Sequence, residues 1–238
     1  MNNESHIKLT FRAGVQAGFP IFIGYFPTAM AFGLLAKTGG LTLGSSVSFS
    51  VFVFAGASQF MALNLLRTGA AVTEIVIATF LLNLRHLLMS AALATRIQSE
   101  NKRWFPVVAF GVTDETFAVA ATQDQKLTMP FLLTLEVTAY VGWVSGTGLG
   151  YLIGSALPVI VQNSMAIALY AMFIAILTPQ VKNSIQAGVL ALGAGALNAG
   201  LSYGKLLPSG WNLIIAIIVI ALLGALVFKD NAEVVRNA

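Results

Sequence analysis

The chain has 238 residues, 57% of them hydrophobic and only 9% charged, with a net charge of +4. Soluble domains carry about 25% charged residues, so this chain cannot cover a water-facing surface and reads as an integral membrane protein. The thirteen basic residues are scattered singly between apolar runs, which suits membrane loops rather than a nucleic-acid surface, and the absence of cysteine excludes thiol catalysis, iron–sulfur clusters, zinc ribbons and disulfides.

Long unbroken runs such as Leu213–Phe228 are too apolar and too continuous for the alternating strands of a barrel. The expected fold is all-α, a polytopic transmembrane helical bundle filling 1–238 as one integral membrane domain. A crossing needs about 20 apolar residues, which leaves room for about seven or eight spans. No metal and no cofactor are expected.

Residues 1–12 are polar and expected on the cytoplasmic side. Lys8 and Arg12 precede an apolar run containing Ala29-Met30-Ala31, a possible leader-cleavage signature. Pro20 and Pro27 interrupt that run and it stays apolar to Ala36, so it is read as a retained first span over Gly14–Ala36. An interior proline removes a backbone hydrogen bond and kinks a helix. Pro20 and Pro27 are therefore hinge candidates, with Gly24-Tyr25-Phe26-Pro27 expected as a bend or an unwound turn.

After a short turn at Lys37–Thr42, the run Leu43–Leu66 is interrupted by Ala55-Gly56-Ala57-Ser58-Gln59. Such an interruption predicts a discontinuous or re-entrant helix, which membranes tolerate where it lines a cavity. The N-terminus of the second half-helix offers free N–H groups and a positive dipole end to a carboxylate. Close helix packing is the structural alternative for these small residues.

Span three, Val72–Ala94, carries Asn83-Leu84-Arg85-His86 at its middle. An arginine there costs roughly 2.5–3.5 kcal/mol on insertion scales, and such a residue marks a functional site with a counter-group. The linker Arg96–Arg103 is the densest basic cluster, followed by Trp104 and Phe105 as an interfacial anchor. Span four, Pro106–Ala121, contains Thr113-Asp114-Glu115-Thr116. Its acidic doublet is the expected counter-group of Arg85, and adjacent helical residues point about 100° apart, so one carboxylate faces the arginine and the other faces elsewhere.

Span five, Pro130–Leu157, holds Glu136 near its start, expected to snorkel to the interface. Gly142, Gly146, Gly150 and Gly154 recur every fourth residue and predict a groove for another helix, a candidate docking face for a partner subunit. Spans six to eight are expected at Ile160–Thr178, Ile185–Tyr203 and Trp211–Phe228, before a polar tail at 229–238. Eight full spans with a cytoplasmic N-terminus would place the Arg96–Arg103 cluster outside, against the positive-inside rule. A re-entrant Leu43–Leu66 brings it inside, and the parity of the C-terminus stays open.

Several stretches taken together resemble the AzlC-type branched-chain amino acid permeases, the larger subunits of two-component exporters, a group that includes the YgaZ-type proteins. They are Gly24-Tyr25-Phe26-Pro27 with Ala31-Phe32-Gly33, Phe54-Ala55-Gly56-Ala57-Ser58-Gln59-Phe60, Asn83-Leu84-Arg85-His86 and Thr113-Asp114-Glu115-Thr116-Phe117-Ala118. Further along come Ala168-Leu169-Tyr170-Ala171-Met172-Phe173-Ile174-Ala175 with Pro179-Gln180, and Leu207-Pro208-Ser209-Gly210-Trp211. The resemblance implies export of valine, leucine and related amino acids across a bacterial inner membrane, together with a small hydrophobic AzlD/YgaH-type membrane subunit.

A zwitterion with an apolar side chain needs one complement for each part. The expected substrate-binding set is Gly56, Ser58, Gln59, Asn83, Arg85, Asp114 and Glu115, with Arg85 or the half-helix amides on the carboxylate and Asp114 or Glu115 on the ammonium. His86, Asp114 and Glu115 are candidates for proton coupling. Two other classes compete. A passive channel would use the same broken helices, and Ser58 with His86 supplies the ingredients of an intramembrane serine protease dyad, although Gln59 stands where rhomboid-type enzymes have glycine.

Overall fold

The computed structural model describes residues 9–98, 102–161, 164, 174, 177–178, 181–182, 184–204 and 211–228. The expected span six, the motif at 168–175, Pro179-Gln180, Leu207–Gly210 and the polar tail lie outside or mostly outside them. The described residues are overwhelmingly helical and contain no β-strand, only an isolated bridge between Ile97 and Leu127. They pack as two compact units, one drawn from 1–60 and 83–169, the other from 61–82 and 170–238.

In the first unit, α1 (Phe11–Thr38) starts at an N-cap, Thr10, whose hydroxyl accepts from the Ala13 amide, and it runs unbroken through Pro20 and Pro27. The expected unwound turn at Gly24–Pro27 is therefore absent. Thr28 Oγ1 donates to the Gly24 carbonyl at 3.2 Å one turn earlier.

Helix α7 (Met129–Ile153) lies parallel to α1, because Gly14 faces Phe131, Gly18 faces Leu135, Gly146 faces Phe26 and Gly150 faces Met30. A β-carbon on Gly150 would stand 2.1 Å from the Met30 carbonyl oxygen, and one on Gly33 of α1 equally close to that of Thr147. Gly142 and Gly154 complete the stripe against Phe22 and Leu34. The glycine periodicity does bring a second helix into backbone contact, but that helix is α1. The expectation that Gly142, Gly146, Gly150 and Gly154 dock a partner subunit is corrected on this point, since the groove is filled from within the chain.

Between these two helices the chain makes a pair of broken elements. Helix α2 (Leu43–Phe52) runs antiparallel to α7, from the Tyr151 hydroxyl bonded to Leu41 O at one end to the Tyr140 hydroxyl bonded to Val51 O at the other. After an extended break at 53–55, α3 (Gly56–Arg67) turns back, with Gly56 against Trp143 and Phe60 against Phe32. The expected interruption is thus real, and Gly56–Gln59 form the first turn after it.

Helix α4 (Val72–Ala94) follows as one continuous element. The region expected as a single span at Pro106–Ala121 is instead two half-helices, α5 (Phe105–Gly111) and α6 (Asp114–Ala121), separated by extended residues Val112 and Thr113. Its two ends are tied together. The Gln98 amide donates to Leu127 O, the Leu127 amide donates to Arg96 O, and the Arg96 guanidinium donates to Ala121 O at 2.7 Å and to Gln123 O. A segment whose entry and exit are bonded to each other leaves and returns on one side. At 1.5 Å per residue its arms are only about 10–12 Å long, far short of a hydrocarbon core about 30 Å thick.

In the second unit α8 (Ile185–Gly204) and α9 (Trp211–Val227) are antiparallel, with Gly224 against Leu190, Gly193 beside Ile220 and Asn212 donating to Ser202 Oγ at 3.3 Å. Leu65, Ala78 and Ile214 form its buried centre.

Candidate functional site

The tips of both broken elements meet the middle of α4 within the first unit. At the second tip, Thr113 caps α6 in a reciprocal arrangement. Its hydroxyl accepts from the Thr116 amide while the Thr116 hydroxyl accepts from the Thr113 amide at 2.8 Å. Asp114 and Glu115 thereby occupy the first turn of α6, where the positive end of the helix dipole favours carboxylates. Asp114 Oδ2 meets Arg85 Nη1 at 2.5 Å. Glu115 Oε2 instead accepts from the Tyr25 hydroxyl, which also stands 2.8 Å from Thr113 Oγ1. The doublet diverges as adjacent helical residues must, one carboxylate to the arginine and one to the tyrosine.

At the first tip the Ser58 hydroxyl donates to Asn83 Oδ1 at 2.6 Å. Its proton is committed to an amide oxygen, too weak a base to activate a serine nucleophile. Gly56 lies against the Trp143 indole, where a β-carbon would stand 2.5 Å from the ring. Gln59, expected among the substrate contacts, is fully buried and saturated. Its amide nitrogen donates to Phe49 O at 3.0 Å and Val53 O at 2.5 Å, and its amide oxygen accepts from Trp143 Nε1 at 2.9 Å and Ser50 Oγ at 3.4 Å. Two donors and two lone pairs are all a glutamine has. In this arrangement its bonds go to the chain itself, adding a second donor to each of the two carbonyls beside the break.

The two tips are joined by aromatic side chains absent from the expected set. Tyr25 packs edge-on to Trp143 at 5.3 Å and to Phe54 at 6.0 Å, and Tyr140 packs edge-on to Phe54 at 5.2 Å. Tyr25 and Trp143 are buried. A buried tyrosine or tryptophan requires a partner for its polar tip, a signal that a tyrosine in mid-span already carries in the sequence.

Arg85 is a third exposed and Asp114 a quarter. Arg85 spends one nitrogen on Asp114, while its Nε is buried and has no hydrogen-bond partner. His86 beside it is half-buried, and no hydrogen bond holds it among the described residues. One turn beyond, α4 and α5 border an open apolar cleft of about 420 Å³ lined by Leu87, Ala91, Ala94, Phe105 and Val108, with Ser90 and Lys102 as its polar lining. Glu136 is not snorkelled to an interface. It is only 4% exposed, and its carboxyl fills the space beside Gly111, the last residue of α5.

The family profile described as "AzlC protein" matches residues 20–157, from α1 through α7 and thus both tips. The chain belongs to the AzlC family. It is 38% identical over 217 residues to an uncharacterized membrane protein of Archaeoglobus fulgidus, covering 85% of this chain and 95% of that one. It is 32% identical over 197 residues to the inner membrane protein YgaZ of Escherichia coli, covering 79% and 80% of the two chains. The branched-chain amino acid transport protein AzlC of Bacillus subtilis is 25% identical over 230 residues, 95% of this chain and 87% of that one. No solved structure matches.

Proposed function

We propose that the chain is a secondary transporter of branched-chain amino acids, exporting valine, leucine, isoleucine and methionine across the bacterial inner membrane with a small AzlD/YgaH-type subunit. The observation that carries this reading is the orphaned, buried Nε of Arg85 beside the Asp114 carboxylate. Buried donors without acceptors are rare, and a substrate carboxylate would complete the guanidinium. Asp114 then becomes available to the substrate ammonium, and Glu115 is held ready by Tyr25. The amides of Gly56, Ala57 and Ser58 at the start of α3 offer the carboxylate a second cradle. The apolar cleft past Leu87 suits an aliphatic side chain without strong discrimination, since one methylene is worth about 1–3 kcal/mol. The transport name of the Bacillus subtilis relative supports the same substrate class.

The hairpins also bear on topology. With both elements re-entrant, Arg12, Arg96, Lys102, Arg103 and Lys126 of the first unit would fall on one side of the membrane, against Lys37 at the other. The positive-inside rule then makes the N-terminal side cytoplasmic, and two of the eight expected crossings become hairpins.

Counterflow of labelled leucine into proteoliposomes, with and without the small subunit, tests the proposal. Arg85→Lys keeps the charge but loses the forked donors. A hydrogen bond to a charged group is worth about 1.5–3 kcal/mol, so counterflow should fall by about tenfold or more while recovery of folded protein is unchanged. Full counterflow in the variant would overturn the site, and its absence in the wild type would overturn the function.

A further inference from the structure

Glu136 lies inside the first unit, on α7, and nothing in the site described above uses it. It is 4% exposed and, among the described residues, has neither hydrogen bond nor ion pair. Its neighbour is Gly111, where a β-carbon would fall 2.5 Å from Glu136 Oε2 and 2.7 Å from its Cβ and Cδ. Gly111 ends α5, and its carbonyl accepts from the Thr116 hydroxyl at 3.2 Å, so the carboxyl is packed against the tip that presents Asp114 to Arg85.

The ionisable groups on the elements packed against α7 are few. Helices α2 and α5 have none. On α6, Asp114 is paired with Arg85 and Glu115 with Tyr25. On α1, Arg12 is exposed at one end, Lys37 bonds Ser155 near the other, and Tyr25 is held by Glu115. On α7 itself Tyr140 follows one turn later, bonded to Val51 O. Among the described residues no cation stands ready to balance an ionised Glu136, and an unpaired charge in such a place is strongly disfavoured. The packed arrangement therefore fits the neutral acid.

We propose that Glu136 carries the proton exchanged during transport, its protonation linked to the position of the α5–α6 hairpin. While the tip packs on α7, the carboxyl keeps its proton. Withdrawal of Gly111 admits water, the O–H proton passes to that water, and the carboxylate must regain a proton before the tip can pack again. Because the same tip presents Asp114 and Glu115, substrate binding and proton exchange bias one two-state element, and by linkage each then biases the other. This rests on the transport reading.

The test uses wild-type and Glu136→Gln protein in proteoliposomes with an entrapped pH-sensitive dye. Glu136→Gln keeps the shape and removes the proton. Leucine-dependent proton movement should disappear in the variant while leucine counterflow stays within about twofold of wild type. Proton movement that persists in the variant, or counterflow lost together with it, would overturn the role. Wild-type vesicles that exchange leucine without moving protons would refute Glu136 and leave the transport reading standing; vesicles with no exchange would refute both. Should the variant fail to fold, dicyclohexylcarbodiimide, which attacks protonated carboxyls in apolar surroundings, decides on the wild type. Modification of Glu136 that declines with rising pH and slows with leucine supports the proposal, and an unmodified Glu136 contradicts it.

Discussion

The α2–α3 and α5–α6 hairpins solve one physical problem with different chemistry. Each opens a helix in mid-bundle and must satisfy the backbone groups so released. The first does so with neutral groups: Gln59 spans its own break, Ser50 bonds Thr147 Oγ1 at 2.7 Å, and Trp143 closes the amide. The second uses a threonine capping box, and its carboxylates reach outward to Arg85 and Tyr25. The side chains of the first break satisfy one another, whereas the second keeps charges, partial exposure and an arginine nitrogen without an acceptor. Reactive capacity lies where the hydrogen-bond accounts of the fold do not close.

The largest effect that would break this contrast is expected at Gln59. Gln59→Leu strands the buried Trp143 indole N–H and removes the side-chain bonds to Ser50, Phe49 O and Val53 O, whose other partners are Thr147 and the Val53 and Ala55 amides. At about 1–3 kcal/mol for the stranded indole and about 1 kcal/mol for each other lost bond, the variant should lose several kcal/mol and be strongly depleted from the membrane fraction, read as folded protein by size-exclusion in detergent. A stable variant with impaired leucine binding would place Gln59 among the substrate contacts. Tyr25→Phe sharpens the other side. It removes one hydroxyl from a charge-assisted bond, so a thermal unfolding scan should register a loss of about 1–2 kcal/mol in protein that still accumulates normally. No change in stability would mean that Glu115 finds water or another donor unaided.

Much of the second hairpin was readable in advance. Pro106–Ala121 holds sixteen residues, which at 1.5 Å each give about 24 Å, too short for a crossing of about 30 Å. Thr113 before two acidic residues, with Thr116 three positions on, is a helix-start pattern. Reading Asp114 and Glu115 only as charges found the right counter-group for Arg85 and missed the break that aims it. The glycine stripe on α7 announces that a helix approaches closely, but nothing in a four-residue period says whose helix it is. Gln59 was undecidable for a different reason. A polar side chain among apolar ones suits a ligand and a broken backbone equally, and only its four bonds separate the two.

The account depends on two hairpins that enter from opposite sides and leave their tips at Arg85. The chain contains no cysteine, so single cysteines at the exposed positions Thr38, Thr68, Gln98 and Lys126 can be labelled in intact cells with an impermeant maleimide. Cysteines at 38 and 68 should react from outside, and those at 98 and 126 only after permeabilisation. Labelling of 38 and 68 from opposite sides, or of 98 and 126 from opposite sides, would turn a hairpin into a crossing and remove the site built between them.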